Sequence, residues 1–349
     1  MDVASNRQSH LRRWLFYWLV VCVACLSACA EQLDSISLSG ATMGTTWHLS
    51  FLGDPADIDN IQQGIERQLQ RVNESMSTYQ GDSEISRFNA SPTHEAFSLS
   101  SDFITVLDAA LTIGLASHGA YDVTVGPVVN LWGFGSELGA NQVPDKTELQ
   151  RLVDHIGQDK LQLDRATASL LKTDQLALDF SSIAKGYAVD LIADWLFAQG
   201  ISNFLVEVGG EVRVAGENAR GTLWRIAVER PDAMMGAVAA ALTLTDNGIA
   251  TSGDYRNYFE RDGKRYSHTI DPRTGFPVAH DLVSVTVVHP QAMMADGWAT
   301  ALMVLGAQEG MKVALAQNLA VYFIRRTEDN YKASYSPLFA DYLESPQEH

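Results

Sequence analysis

Residues 250–278 read ATSGDYRNYFERDGKRYSHTIDPRTGFPV. The runs 251–260 and 265–270 are rich in Tyr, Phe and Thr, and the Arg-Asp-Gly-Lys sequence between them is typical of a hairpin turn. A second turn is predicted at 271–275, where Pro fixes φ and Gly allows a positive φ. A hairpin that exposes His268 and Asp271 beside two glycine-containing turns suits an anionic ligand, and an ordinary surface hairpin fits the same pattern.

The charge balance of the whole chain is acidic. The 349 residues include 25 Lys and Arg against 42 Asp and Glu, for a net charge of −17. Nucleic-acid binding requires basic patches, so the balance argues against a nucleic-acid partner. An acidic protein that binds a phosphate ligand needs a local source of positive charge, such as a metal ion, a lysine or a helix N-terminus.

The first 28 residues have the layout of a signal peptide. Arg12 and Arg13 precede an apolar run at 14–26, which is too short for a stable membrane span. The sequence LSAC at 26–29 looks like a bacterial lipobox, which predicts lipidation at Cys29, a tether at 29–40 and a position on the periplasmic side of a membrane. Ala30 favours the outer membrane. Ordinary cleavage near Ala28 is the alternative.

Residues 41–349 are predicted to form one α+β unit of two packed lobes, with a mainly antiparallel sheet and flanking helices. An apolar stripe at spacings of three and four residues predicts a helix at 57–76. Further helices are predicted at 101–118, from the 181–186 turn to 199, at 291–305 and at 310–318. Strands are predicted at 42–52, 176–180, 204–208, 211–215, 223–229, 238–244, 282–288 and 320–325.

Three polar features of the downstream sequence suggest chemistry. Asp296 and Thr300 are four residues apart on a predicted helix, so they share a face and offer hard oxygen ligands for Mg²⁺ or Ca²⁺. Read alone, such a pair is more often structural, with Asp296 as a helix cap and Thr300 as a core residue. Lys185 lies at a helix start, where it can neutralise phosphate, although a solvated surface lysine is common. His268 is a candidate general acid or base.

Seven segments, taken in order, resemble the ApbE family, the FAD:protein FMN transferases. They cover nearly the whole chain after the signal peptide, and the resemblance implies a T-fold-like unit and an FAD:protein FMN transferase domain at 41–349. The segments are MGTTW at 43–47, SEISRFN at 83–89, GAYDVTVGPVVNLWGFG at 119–135, DFSSIAKGYAVD at 179–190, VEVGGEVRVAG at 206–216, SHTIDPRTGFPV at 267–278 and ADGWATAL at 295–302.

The resemblance also implies where the ligands bind. FAD would bind as a substrate between the lobes, and Mg²⁺ would be held by Asp296, Thr300 and a backbone oxygen of Ala184. His268 and Asp271 are the implied catalytic residues. The implied FAD contacts are Met43, Tyr79, Ala120, Tyr121, Asp122, Asp179, Ser182, Lys185 and Ile270. Glu211 stands where Asp or Asn is frequent in the family.

The reaction implied by the family is the transfer of FMN from FAD to a Thr hydroxyl of a target protein, with AMP as the second product. The implied targets carry a Thr-containing flavinylation motif, as in subunits of Na⁺-translocating quinone reductase and related electron-transfer complexes. Two alternatives stay open on the sequence: an FAD pyrophosphatase, in which water replaces the Thr hydroxyl, and a non-catalytic periplasmic flavin-binding lipoprotein.

Overall fold

The computed structural model describes residues 34–136, 142–231, 238–254, 257–328 and 330–344. The strands are β1 (Asp34–Thr42), β2 (Thr45–Gly53), β3 (Phe97–Ser98), β4 (Leu161–Asp164), β5 (Ser169–Lys172), β6 (Phe204–Val208), β7 (Glu211–Ala215), β8 (Trp224–Glu229), β9 (Val238–Leu244), β10 (Asn247–Gly253), β11 (Tyr258–Arg261), β12 (Lys264–Ser267), β13 (Leu282–His289), β14 (Ala320–Arg326) and β15 (Tyr331–Tyr335). The helices are α1 (Ile58–Met76), α2 (Glu84–Ala90), α3 (Ser101–Ala116), α4 (Gly126–Leu131), α5 (Lys146–Val153), α6 (Ala184–Ala198) and α7 (Ala292–Ala316).

An eight-stranded sheet in the order β1-β2-β6-β7-β10-β13-β14-β15 forms the centre of the fold, and every neighbouring pair in it is antiparallel. Successive side chains of a strand point to opposite faces of the sheet. On β14, Val321 and Phe323 pack into one hydrophobic cluster, whereas Tyr322 and Ile324 pack into another. The two clusters therefore cover opposite faces of the sheet, and the predicted α+β class is confirmed.

Helices α1, α3, α6 and α7 cover the first face of the sheet. The apolar stripe predicted on α1 is buried, as expected for a helix that packs with one side against a sheet, and its buried members are Ile61, Ile65, Leu69, Val72 and Met76. The β8–β9 hairpin and the segment around Phe339 cover the second face. A third cluster joins α4 and α5 to the β11–β12 hairpin through Trp132 and Ile270.

The N-terminus of α7 is held between two glycines. A Cβ atom on Gly186 of α6 would lie 2.4 Å from the carbonyl oxygen of Ala292, and one on Gly248 of β10 would lie 2.4 Å from its nitrogen. The carboxylate of Asp190 accepts the N–H groups of Ala292 and Met293, both at 2.9 Å. This close packing sets the position of the first turns of α7 relative to α6 and the sheet.

The β11–β12 hairpin confirms the predicted turn chemistry. Asp262 and Gly263 have φ values of 51° and 71°, which are the positive values required at both central residues of a tight hairpin turn. In the second turn, the N–H of Gly275 donates to the carbonyl of Asp271 at 2.8 Å, and Gly275 has a φ of 74°.

Several predicted boundaries are wrong. The 251–260 run is not one strand, because its first three residues end β10 in the main sheet and β11 begins only at Tyr258. Residues 176–180 form no strand, and only Ala177 makes an isolated bridge, with Val125. The predicted division of 291–318 into two helices is confirmed, because Gly306 has non-helical backbone angles, with a φ of 73°, and divides α7 into two helical parts.

The N-terminal tether predicted at 29–40 also needs correction. From Asp34 onward the chain forms β1, which pairs with β2 along its whole length and buries Ile36. The predicted signal peptide and Cys29 lie outside the described residues. Among the helices that the structure describes, none has the length and hydropathy needed to cross a bilayer.

Candidate active site

A cavity of about 790 Å³ opens between the β6–β7 turn, the C-terminal half of β10, the first turns of α6 and α7, and the end of the β11–β12 hairpin. This volume lies within the range of small-molecule and cofactor sites. The structure brings ten of the predicted site residues to its wall, namely Ala120, Tyr121, Asp122, Asp179, Ser182, Lys185, His268, Ile270, Asp296 and Thr300.

A cluster of three ionisable groups, Lys185, Glu211 and Asp296, lies at the wall of the cavity. The Nζ of Lys185 lies 2.7 Å from Oε2 of Glu211, and the Glu211 side chain is buried. Burial, together with the negative charge of Asp296, raises the pKa of Glu211 to about 8 against the opposing effect of Lys185. Burial alone would lower the pKa of Lys185, but the carboxylates of Asp296 and Glu211 raise it to about 12. Lys185 therefore stays charged in this site at neutral pH.

Asp296 and Thr300 form one wall of the cavity on adjacent turns of α7. Asp296 is buried, and its Oδ2 accepts the N–H of Gly186 at 3.0 Å. Burial raises its pKa, whereas Lys185 and the Gly186 N–H lower it. The Thr300 hydroxyl lies 3.2 Å from that of Ser252.

The oxygen donors on α7 fit Mg²⁺. Within the described residues, no group of three or more His, Cys, Asp and Glu side chains could hold a metal ion. A site with one carboxylate and neutral oxygens is nevertheless typical of Mg²⁺, which binds one or two carboxylates together with waters and substrate phosphates. Asp296 and Thr300 provide such donors at the wall of a cavity large enough for a diphosphate ligand.

Tyr121 and Asp122 also line the cavity. The Tyr121 hydroxyl lies 3.0 Å from the Ser182 hydroxyl, and burial raises its pKa, so the phenol stays protonated. Both carboxylate oxygens of Asp122 accept hydrogen bonds from the protein backbone. Oδ1 accepts the N–H of Thr124 at 2.9 Å, and Oδ2 accepts that of Gln158 at 3.0 Å. Its role as a hydrogen-bond acceptor for a ligand is therefore limited by these internal bonds.

His268 has the protonation state that a general base requires. Its Nδ1 lies 3.0 Å from the carbonyl oxygen of Asn257, which can only accept a hydrogen bond. Nδ1 therefore carries the proton in the neutral ring, and Nε2 is left with a free lone pair. Burial lowers the pKa of His268, which favours this neutral form at pH 7.

Four predicted site residues are not among those that line the cavity. Both carboxylate oxygens of Asp271 accept hydrogen bonds from Arg273, so Asp271 stabilises its own turn. Tyr79 is 73% exposed, and Met43 packs against the first hydrophobic cluster from the β1–β2 turn. Ala184, the implied third metal ligand, is buried in the first turn of α6.

Two residues of this region were not predicted as site residues. Glu211 follows Gly209-Gly210 at the β6–β7 turn, and its position directly after a tight turn was the available sequence signal. Asp190 accepts a hydrogen bond from Arg213 at 2.7 Å in addition to the two N–H groups at the start of α7. No local pattern connects Asp190 with a helix that begins about a hundred residues later.

Replacement of Glu211 by Gln tests the charge cluster. Because the folded-state pKa of Glu211 is raised from 4.5 to about 8, its contribution to stability is fully present below the lower value and is lost as pH rises through the higher one. Glu211→Gln lacks this loss, so its free energy of unfolding should rise relative to the parent between about pH 5 and about pH 9. Urea denaturation in metal-free buffer measures the difference.

The matched control for that prediction is Glu148→Gln. Glu148 forms an exposed ion pair with Arg151 on α5, which lowers its pKa through the Arg151 hydrogen bond. Its replacement should therefore give no gain in relative stability as pH rises. A difference between Glu211→Gln and the parent that stays constant across this pH range would contradict the raised pKa of Glu211.

Known proteins of similar sequence are flavin transferases, which agrees with a cavity of cofactor size at this site. The model of the ApbE family matches residues 43–323. The chain is 44% identical over 335 residues to the FAD:protein FMN transferase of Vibrio cholerae, covering 95% of this chain and 99% of that protein. It is also 44% identical to the FAD:protein FMN transferase of Haemophilus influenzae, covering 92% and 95%.

Solved structures give the same result. The flavin transferase ApbE from Vibrio cholerae superimposes with a TM-score of 0.83 at 44% identity, covering 89% of this chain and 100% of that one. The apo form of the Pseudomonas stutzeri flavinyl transferase ApbE superimposes with a TM-score of 0.82 at 37% identity, covering 88% and 96%. The chain therefore belongs to the ApbE family of flavin transferase enzymes.

Proposed function

We propose that this chain is a Mg²⁺-dependent FAD:protein FMN transferase that moves FMN from FAD to a Thr hydroxyl of a target protein. The observation that carries the proposal is the meeting of Lys185, Asp296, Thr300 and His268 at the wall of one cavity in a chain of this family. Together these residues provide a cation, hard oxygen ligands and a base for chemistry at a diphosphate.

The reaction is a phosphoryl-type transfer. The Thr oxygen attacks the phosphorus on the FMN side of FAD, the bond from that phosphorus to the bridging oxygen breaks, and AMP leaves with that oxygen. The Thr hydroxyl proton passes to a base, and the products are a phosphoester-linked flavinyl-threonine and AMP. Such reactions need mainly positioning and charge stabilisation from the protein.

Lys185 and the first turn of α6 would bind the diphosphate. Lys185 stays charged, and the positive end of the α6 helix dipole attracts anions. Asp296, Thr300 and the Ala184 carbonyl would hold Mg²⁺, which supplies charge neutralisation at the diphosphate when bound. Glu211 keeps Lys185 on the cavity side through their 2.7 Å contact.

His268 would accept the proton of the attacking hydroxyl. Its Nδ1 is held by the Asn257 carbonyl, its pKa is lowered by burial, and its Nε2 is free to act as a base. Tyr121, Ala120 and Ile270 line the same cavity and would contact the FAD rings, with Asp179 and Ser182 near the diphosphate. Met43 and Tyr79 lie outside this wall, so a role in FAD binding would place part of FAD beyond the cavity.

The target is proposed to be a protein with a Thr-containing flavinylation motif, such as a subunit of Na⁺-translocating quinone reductase or a related electron-transfer complex. The purified chain would be incubated with FAD, Mg²⁺ and such a protein, and the product read by in-gel flavin fluorescence. A fluorescent target band that disappears when the acceptor Thr is replaced by Ala supports transfer. Release of FMN and AMP without a labelled target would instead support an FAD pyrophosphatase.

Asp296→Asn tests the metal ligands. The change keeps the size of the side chain but removes the charge that holds Mg²⁺, so turnover should fall by roughly 10²-fold, about 2.7 kcal/mol of transition-state stabilisation. Thr300→Val removes a neutral ligand at similar shape and should have a smaller effect. The rate of FMN transfer against Mg²⁺ concentration gives the result.

The control for this pair is Asp59→Asn, an exposed aspartate in the first turn of α1. It should transfer FMN at the rate of the parent. An Asp296→Asn variant with the parent's rate and the parent's Mg²⁺ dependence would show that α7 does not hold the metal.

The cellular position is part of the same proposal. The LSAC sequence at 26–29 supports a lipid anchor on Cys29 and a position on the periplasmic side of a bacterial membrane, with the outer membrane favoured by Ala30. Intact-mass measurement of the membrane fraction should find acyl groups on a chain that begins at Cys29, and Cys29→Ser should abolish them. An unacylated soluble chain in the parent would contradict the anchor.

A further inference from the structure

The sequence SEISRFN at 83–89 has no part in the chemistry proposed above. It begins at the N-cap of α2, forms most of that helix and ends with Asn89. No residue of α2 is among those that line the cavity. A role of this segment at the site must therefore act through the residues that it contacts.

The side-chain amide of Asn89 binds both backbone polar groups of one residue in the 176–180 segment. Its Nδ2 donates to the carbonyl of Leu178 at 2.9 Å, and its Oδ1 accepts the N–H of Leu178 at 2.7 Å. Such a pair of bonds is what a residue of a neighbouring antiparallel strand would make. Asn89 therefore takes the place of a strand partner beside a segment that forms no strand.

The same segment pairs with backbone groups on its other side. The N–H of Asp179 donates to the carbonyl of Val123 at 2.8 Å, and Ala177 forms a parallel bridge with Val125. The side chain of Leu178 is buried in the first hydrophobic cluster. The segment is thus held by backbone bonds on one side and by a single side-chain amide on the other.

The connection at 179–183 leads from this segment to α6 and faces the cavity. Asp179 and Ser182 line the cavity wall, and the Ser182 hydroxyl lies 3.0 Å from that of Tyr121. At its far end the connection joins α6, which packs into the first hydrophobic cluster. The position of the connection is therefore set by α6 at one end and by the Asn89 contact at the other.

A second side chain, that of Lys172, ties the end of α2 to the same segment. Its Nζ donates to the carbonyls of Asn89 at 2.7 Å and Phe88 at 3.2 Å, and to that of Leu176 at 3.4 Å. These bonds involve the backbone of Asn89 and not its amide. The end of α2 therefore stays attached when only the Asn89 side chain is changed, and Asn89 acts two residues closer to the cavity than Lys172 does.

We propose that Asn89 is a positioning residue for the binding of the FAD diphosphate. Its two bonds to Leu178 hold the connection at 179–183 in the conformation that places Asp179 and Ser182 at the cavity wall. FAD and Mg²⁺ then bind without first ordering that connection. This inference rests on the proposed function, because it takes the start of α6 to face the diphosphate.

Asn89→Ala should raise the Kd for FAD about tenfold at a fixed Mg²⁺ concentration, the size expected for a net loss of about one to two hydrogen bonds. Without these bonds the connection adopts other conformations, and FAD binds only the fraction of molecules in which it is in place. Titration of flavin fluorescence gives the Kd, and kcat at saturating FAD should stay near the parent's value. A purely structural role would instead lower the number of binding sites per chain and leave the Kd unchanged.

The matched control is Asn73→Ala. Asn73 is also a half-buried asparagine whose amide makes two bonds, to the Leu69 carbonyl at 3.0 Å and to the Thr42 hydroxyl at 3.3 Å, and it does not line the cavity. This variant should bind FAD with the parent's Kd. An Asn89→Ala variant with the parent's Kd, or a rise of the same size in both variants, would overturn the proposal.

Amide hydrogen exchange tests the same coupling in the unmodified chain and decides the proposal also where Asn89→Ala does not fold. The N–H of Leu178 exchanges when its bond to Asn89 opens, and FAD with Mg²⁺ binds the closed arrangement. At a FAD concentration about ten times its Kd, this exchange should slow by up to about tenfold. The reference is the buried Leu99, whose N–H donates to the Ala168 carbonyl at 2.8 Å away from the cavity wall. An unchanged Leu178 amide, or equal slowing of both amides, would overturn the proposal.

Neither readout requires transfer to a target protein, which separates this inference from the function on which it rests. A chain that binds no FAD contradicts both statements. A chain that binds FAD but transfers no FMN contradicts the proposed function alone, and the two Kd values still decide the role of Asn89. Transfer by the parent together with an unchanged Kd for FAD in Asn89→Ala contradicts the positioning role alone.

Discussion

The carboxylate of Asp190 is the contact on which the geometry of the site depends. It accepts the first two N–H groups of α7 and a hydrogen bond from Arg213 of β7, so it joins α6, α7 and the central sheet at one point. These donors offset the cost of burying a charge. Gly186 and Gly248 allow the backbones to approach closely around Ala292, and Asp296 follows one turn later on α7.

The same junction explains the electrostatics of the cavity. Once α7 is placed against α6, Asp296 lies beside the Gly186 N–H and near Lys185, and the buried Glu211 completes a cluster of one lysine and two carboxyl groups. Two buried carboxylates near one lysine raise each other's pKa and are unfavourable without a further cation. Binding of Mg²⁺ with a diphosphate would relieve that repulsion, which links stability to the proposed chemistry.

Local sequence patterns predicted the parts of the fold that depend on neighbouring residues. The α1 stripe, the Asp262-Gly263 turn and the α+β class follow from periodicity and turn chemistry. The division of 251–260 between the main sheet and a separate hairpin could not be predicted, because strand-like composition does not say which partner a strand pairs with. The catalytic role of Asp271 stays a prediction, and the structure adds that Arg273, two residues away, donates to both of its carboxylate oxygens within the turn.

Replacement of Asp190 by Asn, with Mg²⁺ titrated at saturating FAD, measures most directly whether this buried contact sets the active site. We expect the Mg²⁺ concentration for half-maximal FMN transfer to rise by about tenfold, because α7 and Asp296, the proposed metal ligand, are held less firmly. It also predicts that excess Mg²⁺ restores most of the rate. An unchanged Mg²⁺ requirement in a folded Asp190→Asn protein would contradict the account.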